Sequence, residues 1–119
     1  MEVRTTKALC LEFVQIYAHL FMIPKDARII LKVKPMKARG FYYNEFDDEG
    51  EFHVIALNPK MHLTACGVFS TMAHELIHCE QRIKRIGVAH TEWFWDRVAG
   101  LEKLLPLDGS TIGDKELDK

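Results

Sequence analysis

The chain has 119 residues, a formal net charge of −1 and 48% hydrophobic residues. This length supports one small core and no second domain, and the near-neutral, interspersed charge speaks against a nonspecific polyanion binder or an acidic tail protein. Three cysteines, Cys10, Cys66 and Cys79, form no C-x-x-C pair, a usage that fits a reducing cytosol better than a disulfide framework.

In chain order, Thr5 or Thr6 can cap a first helix predicted to run to about Met22, with Leu9, Phe13, Ile16, Tyr17 and Leu20 facing inward and Pro24 marking its end. Residues 8–23 are apolar but carry Glu12, Gln15 and His19 at helical intervals. They read as an amphipathic helix, neither a signal peptide nor a membrane span, and a cytoplasmic location is expected. Residues 27–33 are rich in β-branched side chains, and 39–46 and 51–57 flank the turn signal Asp47-Asp48-Glu49-Gly50. A hairpin preceded by another strand follows, giving a three-stranded, mostly antiparallel sheet with helices on one face.

Asn58-Pro59 closes the last strand, and a long helix is predicted over residues 64–86, ended by Gly87 as its left-handed C-terminal residue. Met72, Leu76, Cys79, Ile83 and Ile86 form its apolar stripe. Cys79 lies on that stripe and reads as a buried, inert thiol. His90 and Thr91 open a final helix to about Leu105, stopped by Pro106, with Phe94, Val98, Leu101 and Leu105 inward. The fold class is α+β, one domain over residues 1–106 followed by a polar, flexible tail over 107–119.

The long helix carries the chemistry. His74-Glu75-Leu76-Ile77-His78 is an H-E-x-x-H motif, in which two imidazoles four residues apart project from one helix face and can share a metal ion. Glu75 lies one step round the helix, where a carboxylate serves as general base toward a water. Because His74 and His78 fall opposite the apolar stripe, together with Gln81 and Arg85, the pair is expected to face away from the core.

Catalytic zinc takes three protein ligands, so one more donor is required. A metzincin would place a third histidine six residues past His78 and a glycine three residues before it, but those positions hold Lys84 and Gln81. The endoribonuclease family that matures bacterial ribosomal RNA needs the same close histidine and is disfavoured equally. His90 is the leading candidate, since a turn at Gly87 and a returning helix bring it back beside the motif. Glu92 is the rival, because Glu92 and Asp96 match the E-x-x-x-D element of gluzincins. His19, His53 and His62 are isolated and read as structural or surface residues, with His62 in reserve.

Here the chain resembles the SprT-like (Spartan-type) metallopeptidase family, in which the H-E-x-x-H helix is followed by an H-G-x-x-F-like segment supplying the third histidine. The matching segments are His74 to His78 and His90-Thr91-Glu92-Trp93-Phe94, and residues 54–59 look like the family's strand before the catalytic helix. The resemblance covers roughly residues 40–101. Thr91 stands where the family usually has Gly. The zinc-ribbon or DNA-binding region of larger relatives has no counterpart in these residues, so a minimal catalytic core is expected rather than crosslink repair.

The resemblance implies a small zincin-like domain that hydrolyses peptide bonds of a protein or peptide substrate, with Zn²⁺ on His74, His78 and His90 and Glu75 as general base. Tyr42, Tyr43 and Arg85 are the available types for stabilising an oxyanion, and a substrate could lie along residues 51–57 if that strand is at the sheet edge. A non-peptidase zinc hydrolase such as a nuclease, or an inactive zinc-binding interaction protein, is the alternative. Lys32, Lys34, Lys37 and Arg39, and Arg82, Lys84 and Arg85, form basic clusters that read as solvated faces; nucleic acid stays open as a partner but is not indicated by the net charge.

Overall fold

Residues 7–60 and 65–104 are described by the computed structural model. Thr5, Thr6, His62, Leu105, Pro106 and the tail over 107–119 lie outside them. Helix α1 (Lys7–Tyr17) continues as a 3-10 turn (Ala18–Leu20) and leads to strands β1 (Ile29–Val33), β2 (Gly40–Asp47) and β3 (Gly50–Leu57), then helices α2 (Ala65–Lys84) and α3 (Glu92–Glu102). This is an α+β fold, and no helix among the described residues is long and apolar enough to cross a membrane.

Strand order is β1-β3-β2. β2 and β3 pair antiparallel as the expected hairpin, with Asp47 opposite Gly50, whereas β1 pairs parallel with β3. The sheet is therefore mixed, and residues 51–57 are not an edge. The reason is visible in β3, whose run Val54, Ile55, Ala56 and Leu57 is buried on both faces. Such an uninterrupted apolar run suits the middle of a sheet, not its rim. The chain between β1 and β2 passes the end of β3 by wrapping round buried Asn58: its side-chain amide donates to Met36 O at 2.6 Å, and its backbone N–H to Arg39 O at 2.9 Å.

The helices cover the inner face, where Leu31, Tyr42, Ile55 and Leu57 meet Phe13, Met72, Leu76 and Phe94. Phe94, Val98 and Leu101 are the buried stripe of α3, as expected. On α1 the inward residues are Cys10 and Phe13, with Leu9, Tyr17 and Leu20 partly buried, whereas Ile16 is 50% exposed. At 100° per residue Ile16 falls to the side of Phe13 away from Cys10 and Tyr17, on the margin of the buried face.

α2 is not the one-sided helix its periodicity suggests. Ser70, Thr71, His74, Glu75, His78, Glu80 and Gln81 are all buried alongside its apolar stripe. The histidine pair thus faces the interior, because α3 packs over the face that the sequence leaves polar. Ile86, expected on the stripe, lies beyond the helix and is exposed.

The end of α2 also departs from expectation. Ile86 N–H donates to Gln81 O and Arg85 N–H to Arg82 O, each at 3.1 Å, which is a Schellman closure with Arg85 as the left-handed residue at φ 59°. Gly87, at φ 87°, is a second positive-φ residue two positions on. A side chain in that conformation costs about 1–2 kcal/mol, partly offset by glycine's greater freedom when unfolded. Arg85→Gly is expected to stabilise the domain by about 0.5–1 kcal/mol, seen as a melting temperature a few degrees higher; an unchanged or lower value would contradict this account of the turn.

Candidate metal centre

Two turns of α2 and the start of α3 converge on one point. His74 and His78 lie four residues apart on α2, and the reversal after Lys84 returns the chain so that His90 sits beside them. Each of the three can offer one ring nitrogen, and these atoms all lie within 4.8 Å of one another. His74 Nε2 and His90 Nε2 are 3.2 Å apart, close to the roughly 3.3 Å edge expected of two nitrogens sharing a tetrahedral zinc at about 2.0–2.1 Å. His74 and His78 are fully buried and His90 half-buried. This buried cluster can hold a metal ion.

Phe94 forms the floor. Its ring centroid is 4.8 Å from that of His74 and 4.9 Å from those of His78 and His90, and the residue is wholly buried. An apolar plate under all three imidazoles limits solvent access to the site. Half-buried Trp95 meets Phe94 edge-on, 5.1 Å away between ring centroids, and lies tilted 5.8 Å from His90. Trp93 is partly buried against the same core.

Glu75 lies against the start of β2. A Cβ at Gly40, the first residue of β2, would stand 2.6 Å from Thr71 Cγ2 and 2.9 Å from Glu75 Oε2. Only glycine allows the strand to approach this carboxylate so closely. The acid is therefore enclosed between α2 and the start of the strand.

Glu92, the rival ligand, is exposed, as is Asp96, and Glu92 lies outside the metal-binding group found among the described residues. Placed on the first turn of α3, Glu92 favours the positive end of that helix. Cys79 is buried and its thiol is pushed up to about 12, chiefly by burial and then by the nearby Glu80 and Glu51 carboxylates, so it stays protonated. His19 is exposed. His53 is buried, its Nδ1 2.7 Å from the Tyr42 hydroxyl, and burial lowers its pKa.

The expected oxyanion groups do not gather at the cluster. Tyr42 is committed to His53. Tyr43 points to the opposite face of the sheet, where Lys32 Nζ donates to its hydroxyl at 3.2 Å. Arg85 occupies the exposed turn. Arg82 is held by Glu51 at 2.9 Å.

The group that sequence reasoning missed is Gln81, expected on a solvated face but wholly buried. Its Oε1 lies 2.8 Å from His78 Nδ1, and its Nε2 donates to Ala89 O at 2.8 Å. The three-residue spacing from His78 was the available signal, since it places both on one helix face. Compared with family models, curated proteins and solved structures, the chain matches none of them.

Proposed function

We propose that the protein is a SprT-like zinc metallopeptidase with a small zincin-like catalytic domain. The observation that carries this reading is the His74, His78 and His90 cluster, with the Glu75 carboxylate enclosed on the same helix. A neutral three-imidazole donor set suits zinc and leaves a fourth position open. When bound, zinc acts as a Lewis acid that brings the pKa of water toward about 7 and polarises a carbonyl.

The residues divide the remaining work. His74, His78 and His90 would hold the ion, and Phe94 closes one side of the site. Glu75 accepts the proton of the water that attacks the peptide carbonyl carbon, then returns it to the amine nitrogen as the C–N bond breaks. One water is consumed, and a carboxylate and an amine are released. β3 is flanked on both sides, so an extended substrate is assigned to the edge strand β2, whose Gly40 adjoins Glu75. Backbone pairing there gives weak dependence on substrate side chains.

The nuclease alternative is less well supported. It needs cations converging on the metal, yet Arg82 is paired with Glu51, and Lys32 lies on the sheet face turned away from α2. Metal analysis and cleavage assays on wild type, His90→Ala and Glu92→Ala test the proposal. Wild type should bind one zinc and cleave an unfolded protein. His90→Ala should lose at least about 100-fold in zinc affinity, since a tridentate site becomes bidentate, while Glu92→Ala stays at wild-type level. Zinc loss in the Glu92 variant alone, or cleavage of an oligonucleotide in place of protein, would overturn it.

A further inference from the structure

We propose that Gln81 is a positioning residue that couples the second and third metal ligands, fixing the tautomer of His78 and the placement of His90 through one side-chain amide. The proposal rests on the reading of the histidine cluster as a metal site.

Ala89 O can only accept a hydrogen bond, so the Gln81 atom 2.8 Å from it must be the NH₂ nitrogen. That choice fixes the other end of the amide. The atom 2.8 Å from His78 Nδ1 is then the carbonyl oxygen, which has no proton to give. His78 must therefore donate from Nδ1. In the neutral ring this leaves Nε2 as the nitrogen with the lone pair, the form in which it can ligate a metal.

The same residue organises the connection to the third ligand. Gln81 O accepts the Ile86 N–H at 3.1 Å where the turn begins, and its side chain holds Ala89 O where the turn ends. Ala89 is directly bonded to His90. Between these two ties, Arg85, Ile86, Gly87, Val88 and Ala89 are all exposed, so packing does little to hold the segment. The amide is itself wholly buried. Breaking either arm strands a buried polar atom, which makes the bridge rigid.

An amide suits this place better than a carboxylate or a hydrocarbon. A carboxylate would accept from His78 but would repel the Ala89 carbonyl. A leucine would satisfy neither.

Two variants separate the arms: Gln81→Leu removes both, while Gln81→Glu, nearly isosteric, keeps only the one to His78. The readouts are the His78 tautomer in metal-free protein, from ring ¹⁵N shifts at about pH 8, backbone order at His90, and zinc affinity by chelator competition. Metal-free wild type should show His78 protonated on Nδ1. Gln81→Leu should lose that preference and bind zinc about 10–100-fold more weakly. Gln81→Glu should keep the tautomer but loosen residues 85–90.

A His78 protonated on Nε2 in wild type would overturn the proposal without any variant, so failure of Gln81→Leu to fold leaves it testable. Wild-type zinc affinity in Gln81→Leu, or an unchanged His90 segment in Gln81→Glu, would overturn the coupling alone. Wild type that binds no zinc would overturn both this proposal and the metallopeptidase reading.

Discussion

Replacing Glu75 by glutamine is expected to lower kcat/KM for peptide hydrolysis by about 10²–10⁴-fold while zinc content stays at the wild-type level. The change removes one proton acceptor and little else. Glutamine has nearly the same volume, and Glu75 is wholly buried between α2 and Gly40, where a change of shape would be costly. The three imidazoles are untouched. At about 1.4 kcal/mol per tenfold, the loss corresponds to roughly 3–6 kcal/mol of transition-state stabilisation. Activity on an unfolded protein, measured beside metal content, separates a lost base from a lost ion. A Glu75→Gln enzyme that turns over at the wild-type rate would remove the acid–base role assigned to this carboxylate.

The largest effect on stability is expected at Arg97. Its Nε and NH2 donate to Glu80 Oε1 and Oε2 at 3.0 and 2.7 Å, and NH2 also donates to Leu20 O at 3.0 Å. Glu80 accepts in addition from the backbone N–H of Met22 at 2.7 Å. One ion pair, between buried Glu80 and partly buried Arg97, thus ties α2 and α3 to the segment that follows α1. Arg97→Leu would leave the Glu80 carboxylate, which is wholly buried, without its counterion. Breaking a buried pair from one side costs about 3–5 kcal/mol. For a domain of this size, that is a melting temperature lower by about 10–20 °C. Arg97→Lys keeps the charge but not the fork and should fall between the two. Thermal melts of the three proteins give the order, and an Arg97→Leu protein melting within about 2 °C of wild type would show that the pair contributes little.

The sequence exposed the elements more readily than their surroundings. Periodicity located α1, the hairpin, α2 and α3, and the spacing of His74, His78 and His90 sufficed to name a triad that the fold brings together. The expectation failed where polarity was taken to mean solvent. His74, His78, Glu80 and Gln81 are polar and buried because they find partners in one another, in α3 and in the turn before it, and a binary pattern cannot register pairing across such distances in sequence. The parallel pairing of β1 is hidden for a related reason. Turn chemistry identifies which strands are hairpin neighbours, but the parallel partner of β1 depends on the apolar run in β3, which is buried on both faces. Arg85 was invisible because glycine is the usual left-handed terminator and Gly87 stood close by.

The position of β3 also decides which parts of the domain can breathe. With a neighbour bonded along each side, this strand is the least able to fray, and the helix bearing His74 and His78 follows from it in the chain. β2, by contrast, pairs with a strand on one side only among the described residues. Under the proposed function, loosening of that edge is expected to admit a polypeptide while the His74, His78 and His90 cluster stays in place.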